Sequence, residues 1–300
     1  MPPVPEFVLF SSSAKKLNGG IKYLFRLTEA LNELGRAAAV CEGDNLRPTW
    51  FDSTAPLIEP QKLQHNPSQI FIIPEDQPEL LRQLAPWPQK KFIYCQNHFY
   101  VPRGLLEASC YSDCGAVGIL CASQTIMDYA ARRLPKLTRY LLSSYVDDQL
   151  FRPRPKKRQI VFIPRKRPVE AAFLYDSFRA RFPQHHNVPW VPLQDQPEKV
   201  VAAAMGESEI FLALNRLEGL GVTPMEALAC GCKVVGFLGS AAQEYSRHCT
   251  YQARDEGDML GLILALERLL AAPLAPVAEP VATITHNHFM GQLEAFLGAA

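Results

Sequence analysis

The chain has 300 residues, 48% of them hydrophobic, and its 31 Lys and Arg residues nearly balance 30 Asp and Glu residues, for a net charge of +1. This length is typical of two domains, each with enough apolar side chains for a core of its own. The near-zero charge argues against nucleic acid as the main partner, because proteins that bind a phosphate backbone usually carry a basic excess.

The N-terminal stretch MPPVPEFVLF lacks the basic region of a signal peptide, and no apolar run approaches the roughly 20 residues that span a bilayer. The cysteines form no C-x-x-C pair, and several lie in apolar runs, so we expect reduced, mostly buried thiols in a cytoplasmic protein. Peripheral membrane contact and the oligomeric state are left open. The eight cysteines are Cys41, Cys95, Cys110, Cys114, Cys121, Cys230, Cys232 and Cys249.

The first half alternates short apolar runs, which predict strands, with segments of helical periodicity. Strands are predicted at residues 7–10, 37–41, 69–73, 91–95, 117–121 and 138–142. Helices are predicted at residues 21–34, 79–84 and 124–133, the last with Ser123 as its N-cap. This alternation predicts a parallel sheet covered by helices on both faces.

A proline-rich basic run, RPRPKKR at residues 152–158, then interrupts the periodicity and is interpreted as a solvated connector. The alternation restarts after it. Strands are predicted at residues 160–163, 188–191, 210–214 and 233–237, and helices at 169–181, 197–205, 224–229, 259–270 and 284–297. The fold class is therefore α/β, with two Rossmann-like domains facing a cleft.

The stretch NRLEGLGVTPMEALACGCKVVGF, residues 215–237, carries the acids Glu218 and Glu226 where a predicted strand leads into a helix. Thr223 and Glu226 have the spacing of a capping box, which is one interpretation of Glu226. In the other interpretation, this segment binds a nucleotide. The helix N-terminus and the amides around Gly219 and Gly221 bind its diphosphate, and a carboxylate accepts hydrogen bonds from two vicinal hydroxyls of its ribose. Spacing alone leaves Glu226 undecided.

The segment EGLGVTPMEALACGCKVVGF resembles the donor site of family-four glycosyltransferases with the GT-B fold, whose signature is E-x7-E followed by a small-residue turn and an apolar strand. Residues 122–124 (ASQ), residues 145–153 (YVDDQLFRP) and the Gly19-Gly20 pair resemble further family segments in the same order. The resemblance implies an acceptor-side domain at residues 1–151, a donor-binding domain at 152–280 and a C-terminal helix at 281–300 that crosses back to the first domain.

The resemblance also implies roles for matching residues. Glu226 would bind the donor ribose, Glu218 would act near the donor sugar, and Arg165 would bind phosphate and take part in catalysis. The remaining implied donor-binding residues are Lys166, Gly219, Leu220, Gly221 and Val222.

Two departures from the family pattern concern the phosphate site. Pro164 replaces a glycine, and Glu170 stands where the family has a lysine, so Lys166 or Arg167 would have to supply that charge.

In the first half, His98 follows a predicted strand and is a candidate to act as a base or to position an acceptor hydroxyl, with a purely structural histidine as the alternative. Asn18, Gly19 and Gly20 form a candidate loop for acceptor or phosphate, or an ordinary surface turn.

The function expected from these features is retaining, metal-independent transfer of a sugar from a nucleotide-diphosphate sugar to a hydroxyl acceptor, such as a glycan, a lipid-linked acceptor or a small molecule. No cofactor and no metal site are expected, since neither D-x-D nor H-E-x-x-H occurs. A non-catalytic nucleotide-sugar-binding or scaffold subunit and a GT-B-like epimerase remain alternatives. A dinucleotide oxidoreductase is disfavoured because no G-x-G-x-x-G follows a predicted strand.

Overall fold

A computed structural model of the chain describes residues 4–15, 17–63, 66–105, 108–274 and 284–299. Within these ranges the chain forms two compact units. The first joins the residues up to Ser144 with the segment from Asn287 onward, and the second is Tyr145–His286. Residues 145–151, which precede the predicted boundary, are thus grouped with the second unit.

The first unit contains a parallel sheet that has seven strands in the described ranges, in the order β3-β2-β1-β4-β5-β6-β7. The strands are β1 (Phe7–Ser11), β2 (Ala38–Glu42), β3 (Leu57–Ile58), β4 (Ile70–Pro74), β5 (Lys90–Cys95), β6 (Ala116–Cys121) and β7 (Thr138–Leu141). The helices between them are α1 (Gly19–Glu33), α2 (Pro78–Leu84), α3 (Val101–Leu105) and α4 (Gln124–Arg133).

The second unit contains a parallel sheet that has five strands among the described residues, in the order β12-β11-β10-β8-β9. Its strands are β8 (Lys157–Phe162), β9 (Trp190–Pro192), β10 (Ser208–Leu214), β11 (Lys233–Phe237) and β12 (Tyr251–Gln252). Its helices are α5 (Pro168–Arg181), α6 (Glu198–Glu207), α7 (Val222–Ala229) and α8 (Met259–Ala271).

Strand β10 explains why the apolar runs could be recognised as strands. All of its residues are buried. Phe211 and Ala213 join the core on one face of the sheet, whereas Ile210, Leu212 and Leu214 join the core on the other. From Ile210 onward the strand is apolar at every position, as the sequence predicted for a sheet covered on both faces.

The C-terminal helix α9 (His286–Ala299) packs in the first unit. The Phe296 ring lies 5.0 Å from the rings of both Phe92 and Tyr140, and the Gln292 side chain accepts a hydrogen bond from the Ser143 amide at 2.7 Å. These contacts confirm the predicted return of the helix to the first half. Residues 275–283 and 300, part of the predicted C-terminal segments, lie outside the described ranges.

The basic run at 152–158 is a connector only in part: residues 152–156 have no regular secondary structure, and Arg152 and Pro155 are exposed. Lys157 and Arg158 begin strand β8. The Lys156 ammonium donates to the carbonyls of Cys230 at 2.6 Å and Met205 at 3.3 Å. The Lys156 ammonium therefore donates to backbone carbonyls near the C-terminal ends of α6 and α7. Composition alone does not predict this role.

All eight cysteines are free thiols, and six of them are buried. Among the described helices, none has the length and apolarity needed to cross a membrane.

Candidate functional site

The stretch singled out in the sequence forms a loop at the carboxyl edge of the second sheet. Strand β10 ends at Leu214, and the Asn215 amide donates to the carbonyl of Phe237, the last residue of β11, at 2.9 Å. Residues 215–221 then lead into α7. This edge is where parallel α/β sheets bind their ligands.

Asn215 fixes the start of this loop, and sequence reasoning missed it. Its side-chain amide donates to the Leu238 carbonyl at 3.1 Å, and its own carbonyl accepts from the Arg167 guanidinium at 2.8 Å. The Thr223 hydroxyl lies 3.5 Å from its side-chain oxygen. A polar residue directly after the apolar run 210–214 was the available signal, since a buried amide needs partners for both its oxygen and its nitrogen.

Gly221 turns the chain into the helix through a left-handed backbone conformation, with φ of 81°. A Cβ atom here would lie 2.6 Å from the Tyr245 hydroxyl and 2.7 Å from the Asn215 side-chain nitrogen. Tyr245 is fully buried and donates to the Leu238 carbonyl at 3.1 Å. Both the conformation and the space therefore require glycine.

Of the two interpretations of Glu226, the capping box with Thr223 is wrong. The N-cap is Gly221 and the helix begins at Val222, so Thr223 and Pro224 lie inside the first turn. Glu226 falls in the second turn, beyond the reach of an N3 capping residue, and only 4% of it is exposed. The N-cap residue Gly221 makes no side-chain capping hydrogen bond to the first turn of α7.

The middle of the loop joins the core and a charged pair. Leu220 is 3% exposed and packs in the core of the second unit, and Gly219 is buried beside it. The Glu218 carboxylate pairs with the Lys166 ammonium, which comes from the turn after β8. The two side chains are 21% and 29% exposed, so the pair remains accessible to a ligand.

The three adjacent cations at residues 165–167 have different environments. The Arg165 side chain is exposed and has no hydrogen-bond or ion-pair partner within the part of the chain that is described. Arg167 is 2% exposed, stacks 4.2 Å from the Phe237 ring centre, and pairs with Glu170 at 3.0 Å and with Glu256. Arg167 therefore braces the loop, and of the two substitutes considered for the family lysine, it is Lys166 that lies beside Glu218.

Asn18, Gly19 and Gly20 lie in the first unit and form a helix N-terminus rather than a loop. Asn18 is the N-cap of α1, and its side-chain oxygen accepts from the Gly20 amide at 2.9 Å. The side chain of Gln96, the residue that follows β5, donates to the Gly20 carbonyl at 3.0 Å. The predicted glycine segment thus meets the end of β5.

His98 lies in the short turn that follows β5. Its ring is 4.3 Å from Phe99 and 5.2 Å from Tyr129, measured between ring centres. Its Nδ1 atom is buried and has no hydrogen-bond partner among the described residues. Burial lowers the pKa of His98, which favours a neutral imidazole at neutral pH.

Glu75, at the end of β4, holds the backbone that leads to His98. Its carboxylate accepts from the Asn97 amide at 2.8 Å, and the Asn97 side chain accepts from the Phe99 amide at 3.1 Å. Burial raises the pKa of Glu75 to about 8. Sequence reasoning overlooked this residue, although an acid directly after an apolar strand was the available signal.

The described residues contain no group of three or more His, Cys, Asp or Glu side chains arranged to hold a metal ion.

No family model matches the chain. An alpha-1,6-glucosyltransferase of Actinobacillus pleuropneumoniae serotype 7 (strain AP76) is 29% identical over 199 residues, which cover 63% of this chain and 58% of the relative. The match thus spans less than two thirds of the relative's length.

Several solved structures share the fold. HepE from Anabaena, in complex with UDP and glucose, has a TM-score of 0.72 at 11% identity. The match covers 99% of this chain and 100% of that chain. A sucrose-phosphate synthase from Thermosynechococcus elongatus has a TM-score of 0.66 at 15% identity, with 98% of this chain and 99% of that chain covered. The resemblance predicted from the sequence is therefore confirmed at the level of the fold: the chain has the GT-B fold of the glycosyltransferases.

Proposed function

We propose that the chain is a retaining glycosyltransferase that moves a sugar from a nucleotide-diphosphate sugar to a hydroxyl acceptor without a metal ion. The observation that carries this proposal is the Lys166–Glu218 pair. It joins the turn after β8 to the loop that enters the N-terminus of α7 at Gly221. The fold it shares with glycosyltransferases and the glucosyltransferase named among its relatives support the same function.

In this proposal the second unit binds the donor. Breaking the bond between sugar and diphosphate leaves negative charge on the diphosphate, and preorganised positive groups lower the barrier to that step. We assign three groups to the stabilisation of the departing diphosphate: the Lys166 ammonium, the exposed Arg165 guanidinium and the amides at the start of α7. These groups take the place of a bound cation, so transfer should not require one.

The carboxylates have separate roles. Glu218, held by Lys166 and partly exposed, is assigned to the donor sugar, with the Gly219–Val222 backbone beside it. Glu226 is assigned to the ribose hydroxyls. Retention of the anomeric configuration rests on the family resemblance alone.

The first unit is assigned to the acceptor. His98, as a neutral imidazole, can accept a hydrogen bond from an acceptor hydroxyl and so position it. The Gly19-Gly20 helix N-terminus, which contacts Gln96, lies at the same edge of the first sheet.

UDP-glucose is the first donor to test, because relatives are named as a glucosyltransferase and as a complex with UDP and glucose. We expect transfer of labelled glucose that persists in EDTA, and an NMR spectrum of the product that shows the α-anomer. Lys166→Met should lower kcat/KM by about 10²-fold, the typical effect of removing one stabilising donor.

The matched control is Lys157→Met, which removes an exposed lysine of the same unit that pairs with Glu207. Binding of UDP without transfer to any hydroxyl acceptor would contradict the proposal and favour a scaffold subunit. Conversion of the UDP-sugar in the absence of an acceptor would favour an epimerase.

A further inference from the structure

An aromatic surface lies directly after β5 in the first unit. Phe99 is 37% exposed and Tyr100 is 40% exposed, and the His98 ring contacts the rings of Phe99 and Tyr129. Single exposed aromatic residues are common, but adjacent ones at the carboxyl edge of a parallel sheet mark a candidate binding surface.

Hydrogen bonds hold the backbone of the turn that carries these rings. The Asn97 side chain caps the His98–Tyr100 turn, and Glu75 holds the Asn97 amide at 2.8 Å. Rings presented by a fixed turn lose little freedom on binding, which favours affinity.

Polar side chains accompany the rings in this segment. Gln96 lies at the start of the segment and His98 carries a ring that burial keeps neutral. A lipid chain would leave such polar groups without partners, which is costly. A nucleic acid would bring phosphates to a chain whose net charge is only +1.

We propose that Phe99 and Tyr100, with His98 beside them, form an acceptor subsite that binds a neutral carbohydrate. The C–H face of a pyranose ring packs on the aromatic rings, and its hydroxyls meet the polar side chains of this segment. This inference rests on the proposed function and narrows its acceptor to a glycan.

The test measures binding directly and needs no turnover. Saturation-transfer NMR with isomaltotriose is recorded on the full chain as wild type and as Phe99→Ala and Tyr100→Ala. We expect each substitution to weaken binding by about two- to tenfold, the range for one aromatic contact. The matched control is Phe173→Ala, which removes a 51% exposed phenylalanine from α5 of the second unit and should leave binding unchanged.

Equal binding by wild type and both variants would overturn the inference, as would the absence of isomaltotriose binding to the wild type. A single-stranded oligonucleotide or a lipid vesicle that binds in its place would identify the other acceptor class. If the sugar binds through Phe99 and Tyr100 but UDP-glucose is neither bound nor turned over, the proposed function fails while the subsite stands.

Discussion

Gly221→Ala should lower the free energy of unfolding of the second unit by more than the cost of placing an alanine in a left-handed backbone conformation. An alanine at φ of 81° costs about 1–2 kcal/mol, the penalty for a left-handed residue with a Cβ. The new Cβ would also lie 2.6 Å from the Tyr245 hydroxyl and 2.7 Å from the Asn215 amide nitrogen, so at least one of them must move.

Both displaced groups donate to the Leu238 carbonyl at 3.1 Å. Each lost hydrogen bond adds about 1 kcal/mol, which brings the expected loss to about 2–4 kcal/mol in the free energy of unfolding. Urea unfolding followed by fluorescence measures this loss. In a thermal scan, each kcal/mol corresponds to about 2–4 °C in Tm for a domain of roughly this size.

Gly239→Ala is the matched control in the same unit. Gly239 also has a left-handed backbone, with φ of 88°, but the atom nearest to a new Cβ is the Glu218 Cβ at 3.3 Å. It should therefore lose little more than the conformational cost of about 1–2 kcal/mol. Equal losses for the two variants would refute the argument that Tyr245 and Asn215 close the space around Gly221.

Two further predictions concern the ionisable side chains of Glu75 and Lys156. Burial raises the pKa of Glu75 from 4.5 to about 8, so the native state binds its proton more tightly than the unfolded chain and stability should fall as the pH rises between these values. Glu75→Gln should flatten that slope, which urea midpoints at about pH 5 and about pH 9 would detect; an unchanged slope would mean that another group is responsible. Lys156→Met should cost about 1–3 kcal/mol by removing the donor to the Cys230 and Met205 carbonyls, whereas Lys157→Met should cost less than about 1 kcal/mol because it removes only a surface ion pair. Equal urea midpoints for these two variants would contradict the structural role assigned to Lys156.

The longer strands were predictable from the sequence because burial on both faces gives each of them a continuous apolar run. Strand Lys233–Phe237 was found at its predicted bounds, and β10 was found with a small extension at its start. The two-residue strands Leu57–Ile58 and Tyr251–Gln252 were missed. Each pairs only at a sheet edge, so its conformation depends on the neighbouring strand and leaves no periodicity in its own sequence.

Helix starts were harder to place than helices. The spacing of Thr223 and Glu226 fits a capping box, yet the N-cap of α7 is Gly221. Glycine can adopt the left-handed conformation at this position and fits the small space that Asn215 and Tyr245 leave. In the first unit, Gly19 and Gly20 were taken as loop residues and instead form the first turn of α1 behind Asn18. Capping depends on the φ and ψ values at the boundary, and residue type sets these only in part.

The basic triplet at residues 165–167 is where the structure adds most to the sequence. Three consecutive cations are equivalent in a sequence pattern, but only Arg167 is buried, and Glu170 pairs with it. The acid that replaces the family lysine thus has a structural partner in this chain, so its presence is weak evidence for a decayed site. Lys166 remains beside Glu218 with part of its surface exposed. In the proposed donor site, Lys166 would supply the positive charge for the diphosphate, and this arrangement supports the proposed enzyme over a scaffold subunit.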